Sequence, residues 1–271
     1  MEPKGLRVAL RIWVGLVLAF LFVPIVLIVL YAFNQSNIES WPISHFTLHW
    51  FSLAWHDPQV RAAFWLSVRV GLFATALALL LGSAVAYALH TFRFFGREAI
   101  SLLLVLPLAL PGIITGIALN SFFSFTGTQL GTLTIVVGHA TFCIVIVFNN
   151  LIARLRRTPG SLAEASMDLG GRGWHTLRRV TVPLTATALV SGALLAFGLS
   201  FDEVIVTVFT AGAQNTLPLW IFGAIRLGQQ LPEVNAVVSI VLLLTIIPVV
   251  LAARLAGTGA VTAATGSARN V

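Results

Sequence analysis

Six long apolar runs dominate this sequence and constrain its fold more than any other feature. A transmembrane α-helix needs about 20 mostly apolar residues to cross the hydrocarbon core of a bilayer. Runs near that length lie at residues 12–32, 63–89, 100–123, 132–152, 184–209 and 234–253. The pattern therefore predicts an all-α membrane protein with six transmembrane helices.

The amino-acid composition agrees with lipid as the main solvent of the chain. Hydrophobic residues make up 58% of the 271 residues and charged residues only 9%, whereas a soluble domain carries about 25% charged residues. The loops between the runs are too short for a separate nucleotide-binding or catalytic domain. We predict one membrane domain over residues 1–255 and a disordered cytoplasmic tail, rich in Gly, Ala, Thr and Ser, over residues 256–271.

The basic residues indicate which side of the membrane each loop faces. Thirteen of the 16 Lys and Arg residues lie before the first run, after the sixth, or in the second–third and fourth–fifth loops. The opposite loops hold only Arg61 and Arg226, with Arg69 near the start of the second run. Because cytoplasmic loops are enriched in Lys and Arg, both termini are expected in the cytoplasm. The same placement explains the net charge of +7 without a nucleic-acid partner.

The sequence offers little for metal or redox chemistry. Its one cysteine, Cys143, lies inside an apolar run and can form neither an intrachain disulfide nor a metal cluster. The histidines of the first outer loop, about residues 33–62, are not expected to bind a metal. We therefore predict no metal site.

The longest cytoplasmic loop, residues 153–183, encodes a short helix. Ser161 and Glu164 have the spacing of a capping box, in which the two residues cap each other's backbone N–H groups. Gly170 and Gly171 supply a left-handed stop. A helix of about two turns is marginal alone in water, and this one carries the apolar residues Leu162, Ala165, Met167 and Leu169. We therefore expect it to dock against another protein.

The same loop resembles the EAA motif of bacterial ATP-binding-cassette (ABC) importer permeases. That pattern is Glu-Ala-Ala, three residues, Gly, nine residues and Ile-x-Leu-Pro. This chain has, at the same spacing, Glu164-Ala165-Ser166, Gly170 and Val180-Thr181-Val182-Pro183. In the family this segment is the coupling helix, which inserts into a cleft on the ATPase subunit. The resemblance implies ATPase-coupling roles for Ser161, Glu164, Ala165, Ser166, Asp168, Gly170 and Pro183.

Four further segments resemble the spermidine/putrescine branch of these permeases, in particular the PotC-like permeases of the YdcV type. They are residues 139–143, 199–206, 216–219 and 232–235. The resemblance implies the six-helix type I ABC-importer permease fold, a bacterial inner-membrane location, and import of polyamines by alternating access. It also implies a second homologous permease subunit, two ATPase subunits that bind ATP and Mg at the cytoplasmic face, and an extracytoplasmic substrate-binding protein. No cofactor is expected on this chain.

Asp202 and Glu203 are the only acidic residues inside an apolar run. An ionisable side chain at membrane depth is costly and usually faces a cavity or a partner. If the fifth helix starts at Pro183, Asp202 lies about 28 Å along its axis, towards the outer surface. With nearby Trp220, these acids would suit a polycation on the substrate pathway and would repel anions. One acid could line the pathway while the other pairs with Arg69, Arg226 or a partner chain. The alternative is a structural role, as an ion pair or a helix-packing carboxylate.

Other functions fit the residues less well. The chain has no Gly-x-x-x-x-Gly-Lys-Ser/Thr loop, which binds nucleotide phosphates, so we expect a non-catalytic subunit. An ABC permease for another small solute remains an alternative. A secondary transporter usually shows internal repeats, and none is evident. An intramembrane hydrolase needs a nucleophile paired with a base, and the serines of the apolar runs have no obvious His or Lys partner.

Overall fold

A computed structural model describes residues 4–38, 41–43, 45–228 and 231–245. Its contacts divide the chain into two compact units, one of residues 1–61 and 223–271 and one of residues 62–222. All named elements of the described ranges are helical, and the only β-type pairing among them is an isolated bridge between Asn34 and Phe46. The predicted all-α class is therefore confirmed.

The first unit contains α1 (Lys4–Tyr31), α2 (His49–His56), the start of α3 (Pro58–Thr91), the end of α11 (Leu217–Leu227) and α12 (Leu231–Thr245). The most apolar part of α1 has a mean hydropathy of 3.0 and none of it is buried within the chain. A helix that is apolar on every side is suited to lipid rather than to water.

The loop after α1 is held by hydrogen bonds to Asn34, whose side chain is buried. The indole N–H of Trp50 donates to the Asn34 carbonyl oxygen at 2.7 Å. The Asn34 carboxamide oxygen accepts from the Ser36 N–H at 3.2 Å. The Phe33 and Phe51 rings pack with their centroids 4.9 Å apart. These contacts fix the position of α2 against the end of α1.

The second unit is built around α6 (Thr132–Arg157), the most buried of its apolar helices. Around it lie the rest of α3, together with α4 (Arg97–Ala109), α5 (Gly112–Phe125), α9 (Val182–Asp202) and α10 (Ile205–Thr210). Small residues bring these helices close, because a Cβ added at Gly82 would lie 2.9 Å from the Ile144 carbonyl oxygen. One buried cluster joins α3, α6, α9 and α10 through Ala78, Phe142, Cys143, Val147, Ala196 and Val206.

The predicted span at 100–123 is not one straight helix. It consists of α4 and α5, which meet at an angle of 104°. Pro111 explains the break, because proline has no N–H to continue the ladder and disfavours helical geometry in the residue before it. Gly112 and Gly116 face α10: a Cβ on Gly116 would lie 2.5 Å from the Phe209 ring. These glycines therefore allow α5 and α10 to pack closely.

Four helical segments of the described residues are long and apolar enough to cross a membrane, or five if α4 and α5 form one span. They are Gly5–Tyr31, Pro58–Thr91, Thr132–Arg157 and Gly173–Asp202. The predicted sixth span, 234–253, begins in α12, and its residues 246–253 lie outside the described ranges, as does the predicted tail.

Candidate functional site

The loop between α6 and α9 contains the predicted two-turn helix, α7 (Ser161–Asp168). Its start differs from the predicted capping box, because Gly160 occupies the N-cap position and no side chain caps the helix. The turn at Pro159 begins the helix instead: the Leu162 N–H donates to the Pro159 carbonyl oxygen at 3.3 Å and the Glu164 N–H to that of Gly160 at 3.2 Å. Ser161 is therefore the first helical residue, and the exposed Glu164 side chain is accessible to a partner.

The end of α7 has the geometry of a Schellman motif. The Gly171 N–H donates to the Ser166 carbonyl oxygen and the Gly170 N–H to that of Met167, both at 2.9 Å, which is the bond pair that defines this helix stop. Gly170 has a φ of +83°, a conformation that costs little only for glycine. Gly171 is needed for a different reason, because a Cβ there would lie 2.6 Å from the Ser166 carbonyl oxygen. The predicted left-handed stop is thus correct for Gly170.

A hydrogen bond ties α7 to the helix that follows it. The hydroxyl groups of Ser166 and the buried Thr176 lie 3.0 Å apart. Thr176 ends α8 (Gly173–Thr176), which continues through a single π-helical turn, Leu177–Thr181, into α9. Pro183 lies just after this turn, and the wider turn accommodates a proline that has no N–H to bond backwards. The segment Gly173–Asp202 is therefore one continuous helical body attached to α7.

The surface around α7 combines exposed apolar side chains with positive charge. Leu169 is 90% exposed and Met167 53%. A groove of about 670 Å³ runs beside Leu169 and is partly lined by Arg172, His175 and Arg179. A clustered apolar surface that water would otherwise solvate indicates a protein contact.

The predicted fifth span, 184–209, is also broken, at the two acids. α9 ends at Asp202, Glu203 and Val204 are not helical, and α10 begins at Ile205. Asp202 is exposed and Glu203 half-buried. Glu203 Oε1 accepts from the Val206 N–H at 2.9 Å, so this carboxylate caps α10. Within the described residues, neither acid forms the predicted ion pair with Arg69.

His139 of α6 holds the break in place, a role that sequence reasoning missed. It is 1% exposed, with Nδ1 2.8 Å from Ser200 Oγ and Nε2 2.9 Å from Thr207 Oγ1. The Thr207 hydroxyl donates to the Glu203 carbonyl oxygen at 2.7 Å, so Nε2–H must donate to Thr207. In the neutral imidazole, Nδ1 then accepts from Ser200. One side chain thus connects both sides of the break.

This geometry corrects one expectation, because Ser200 does have a histidine partner. The pair is sealed inside the unit, with Ser200 3% and His139 1% exposed. A nucleophile must reach its substrate within hydrogen-bond distance of its base. The contacts of this pair fit a structural bridge between helices.

Two further side chains secure α10. Asn120 Nδ2 donates to the Phe209 carbonyl oxygen and Thr134 Oγ1 to that of Thr210, both at 2.7 Å. A six-residue helix leaves most of its carbonyl oxygens without intrahelical partners. α5 and α6 supply partners for two of them, so the position of α10 depends on both.

Trp220, the third predicted pathway residue, lies on α11, which at 11 residues is too short to span a bilayer. Its side chain is half-buried, and the Trp220 backbone N–H donates to the Thr216 carbonyl oxygen at 2.8 Å. In the part of the chain that the structure describes, no hydrogen bond or ring contact brings it together with Asp202 or Glu203. No group of three potential metal ligands occurs in that part either.

A multi-pass helical chain with two broken membrane segments and an exposed two-turn helix joined to one of them has the architecture of a membrane transport permease. Comparison with known proteins places it more closely. The family of binding-protein-dependent transport system inner membrane components matches residues 78–258, and the chain belongs to that family.

Curated relatives match over most of the chain. It is 34% identical over 237 residues to the spermidine/putrescine transport system permease protein PotC of Haemophilus influenzae, covering 87% of this chain and 91% of that one. It is 33% identical over 232 residues to the putrescine transport system permease protein PotI of Escherichia coli K12, covering 82% of each. The fold is shared with a chain of a bacterial ABC transporter involved in the import of the acidic polysaccharide alginate. The TM-score is 0.70 and the identity 18%, with coverage of 93% of this chain and 98% of that one.

Proposed function

We propose that this chain is a membrane subunit of an ATP-driven importer of polyamines such as putrescine and spermidine. The relatives named for these substrates match at 33–34% identity over more than four-fifths of the chain. The observation that carries the proposal is α7, a short exposed helix with an apolar and basic surface, joined by Ser166 and Thr176 to a membrane-spanning helix.

The proposed assembly contains a second homologous permease, two ATPase subunits on the side of α7 and an extracytoplasmic binding protein. ATP and Mg would bind to the ATPase subunits, and this chain would carry no cofactor. α7 would insert into a cleft of one ATPase subunit, with Glu164, Ala165 and Asp168 at the contact. The exposed Leu169 and Met167 would bury apolar surface there, which stabilises association by about 25 cal/mol per Å².

The helix that follows α7 would transmit movement into the membrane. When the ATPase subunits close on ATP, α7 would move with them and carry Gly173–Asp202 as one body. That body is 30 residues long, or about 45 Å at 1.5 Å per residue, and ends at Asp202. The break at Glu203 would let α9 move relative to α10, which α5 and α6 hold, if the hydrogen bond between His139 and Ser200 opens during the movement. Alternating access would follow from this relative motion.

Asp202 is the better placed of the two acids to contact substrate. It is exposed at the C-terminal end of α9, where the helix dipole adds partial negative charge. Glu203 is engaged with the Val206 N–H. A cationic ammonium group would therefore interact with Asp202 and the free carbonyl oxygens at the end of α9. The role of Trp220 in this pathway is part of the same proposal.

The proposed orientation has both termini and α7 in the cytoplasm of a bacterial inner membrane. The supporting observation is the excess of Arg and Lys on that side, as the positive-inside rule requires.

Reconstitution tests the function directly. The complete transporter in proteoliposomes should take up labelled putrescine and spermidine only with ATP and the binding protein. Uptake of neither polyamine by an assembled complex that hydrolyses ATP would refute the substrate. A complex that transports without any ATPase subunit would refute the class.

A further inference from the structure

Glu233, in the first turn of α12, is buried and has no partner among the residues that the structure describes. Its side chain is 1% exposed, and neither carboxylate oxygen has a hydrogen-bond partner. Residues 232–237 around it are all buried. A carboxylate in a first helical turn commonly accepts a bond from a free backbone N–H group, and Glu233 does not. Burial of an unpaired charge is expensive, so this residue calls for an explanation.

The carboxylate of Asp57, which acts on Glu233, carries a charge of the same sign. The electrostatic interaction between the two residues is unfavourable. Asp57 has its own structural task, since its Oδ1 accepts from the Gln59 N–H at 2.6 Å at the start of α3. Among the described residues no Lys, Arg or His forms an ion pair with Glu233. Among the residues of this unit that the structure describes, the local negative charge is therefore uncompensated.

We propose that Glu233 binds an ammonium group of the transported cation during part of the transport cycle. The inference rests on the proposed function, because a polyamine supplies the missing charge. A primary ammonium has three N–H donors and no acceptor, and a carboxylate is the acceptor that gives it the strongest hydrogen bonds. Glu233 belongs to the segment 232–235, which resembles the polyamine branch. The proposed roles of α7 and Asp202 do not involve this segment.

The main rival is a permanently protonated Glu233 that serves only to fill space. Glutamine has the shape of protonated glutamate and no charge, whereas aspartate keeps the charge on a shorter side chain. A cation-binding role predicts that Glu233→Asp retains more uptake than Glu233→Gln. A neutral structural role predicts the reverse order, because only glutamine preserves the shape.

The experiment measures uptake of labelled putrescine and spermidine per assembled complex, in proteoliposomes containing the full transporter. We expect Glu233→Gln to assemble normally and to lower kcat/KM for spermidine about tenfold, the effect of one lost charge-assisted contact, with a smaller loss for Glu233→Asp. The matched control is Glu98→Gln, the same change at an exposed first-turn acid of α4, which should behave as wild type.

Each outcome decides between the possibilities. Wild-type uptake of both polyamines by Glu233→Gln, or better uptake by Glu233→Gln than by Glu233→Asp, would overturn this inference and leave the proposed function intact. Failure of Glu233→Gln to assemble would also overturn it, because a residue needed only for substrate contact is not needed for assembly. If the wild-type complex imports neither polyamine, the proposed function fails and this inference fails with it.

Discussion

Replacement of Gly171 by alanine tests the coupling segment at its tightest point. The new Cβ would lie 2.6 Å from the Ser166 carbonyl oxygen and 2.8 Å from Ser166 Oγ. Non-bonded Cβ contacts under 3.0 Å are essentially never observed, so the chain after α7 must move away. That movement breaks the hydrogen bond from the Gly171 N–H to the same carbonyl oxygen, now 2.9 Å long.

The loss of helix stability in Gly171→Ala follows from the lost hydrogen bond and the steric overlap of the new methyl group. A lost backbone hydrogen bond costs about 1 kcal/mol, and an overpacked methyl group costs about 1–3 kcal/mol. The sum, about 2–4 kcal/mol, changes the population of the correctly ended helix by roughly 30-fold or more. An eight-residue helix has little stability of its own to absorb this loss. The Ser166–Thr176 contact, which depends on that helix end, should be lost as well.

The assay compares ATP-driven uptake with ATP hydrolysis in the same proteoliposomes. Gly171→Ala should lower uptake per complex about tenfold or more, while the chain stays in the membrane. The matched control is Gly173→Ala, because a Cβ there meets no atom within 4 Å. If the two variants transport equally well, α7 does not need its Schellman end, and the proposed path of coupling through Ser166 and Thr176 is wrong.

Three other predictions follow from the same description. Glu164→Lys reverses the charge of an exposed side chain on α7 and should uncouple ATP hydrolysis from uptake; normal values of both would remove this residue from the contact. Single cysteines at Gly160 and Gly127 should react with impermeant reagents from opposite faces of the membrane, and labelling of both from outside would contradict the proposed topology. Asp202→Asn should slow polyamine uptake in an assembled complex, whereas Glu203→Gln should reduce assembly, since a weaker cap on α10 costs about 1 kcal/mol. Wild-type uptake and assembly of both acid variants would refute the substrate contact of Asp202 and the capping role of Glu203.

The coupling segment could be predicted well from sequence because its signals are local. Gly170 and Gly171 end α7 where expected. The predicted start of α7 is wrong, because the Ser161–Glu164 spacing in the sequence is also that of a capping box. In the structure Gly160 occupies the cap position and α7 begins at Ser161, so the serine lies one residue after the cap.

The two helix breaks differ in how far sequence could reveal them. Pro111 marks the α4–α5 break, although the 104° bend exceeds a simple kink. Around Glu203 the sequence holds neither glycine nor proline, and the apolar run reads as one helix. That break depends on the Glu203 cap and on the bonds from His139, which lies 64 positions earlier. Such long-range contacts leave no periodic signal in a single sequence.

The exposure of the most apolar part of α1 has a consequence for how this protein varies. Because none of its most apolar segment is buried within the chain, few neighbouring side chains require a particular shape from it. Exchanges among Leu, Ile, Val and Phe in α1 should accumulate freely, as long as the helix stays hydrophobic enough to lie in lipid. α6 is under the opposite constraint, since a methyl group gained or lost around His139 disturbs a packed interior. Mutational drift should therefore erase the resemblance between relatives first in α1 and last in α6.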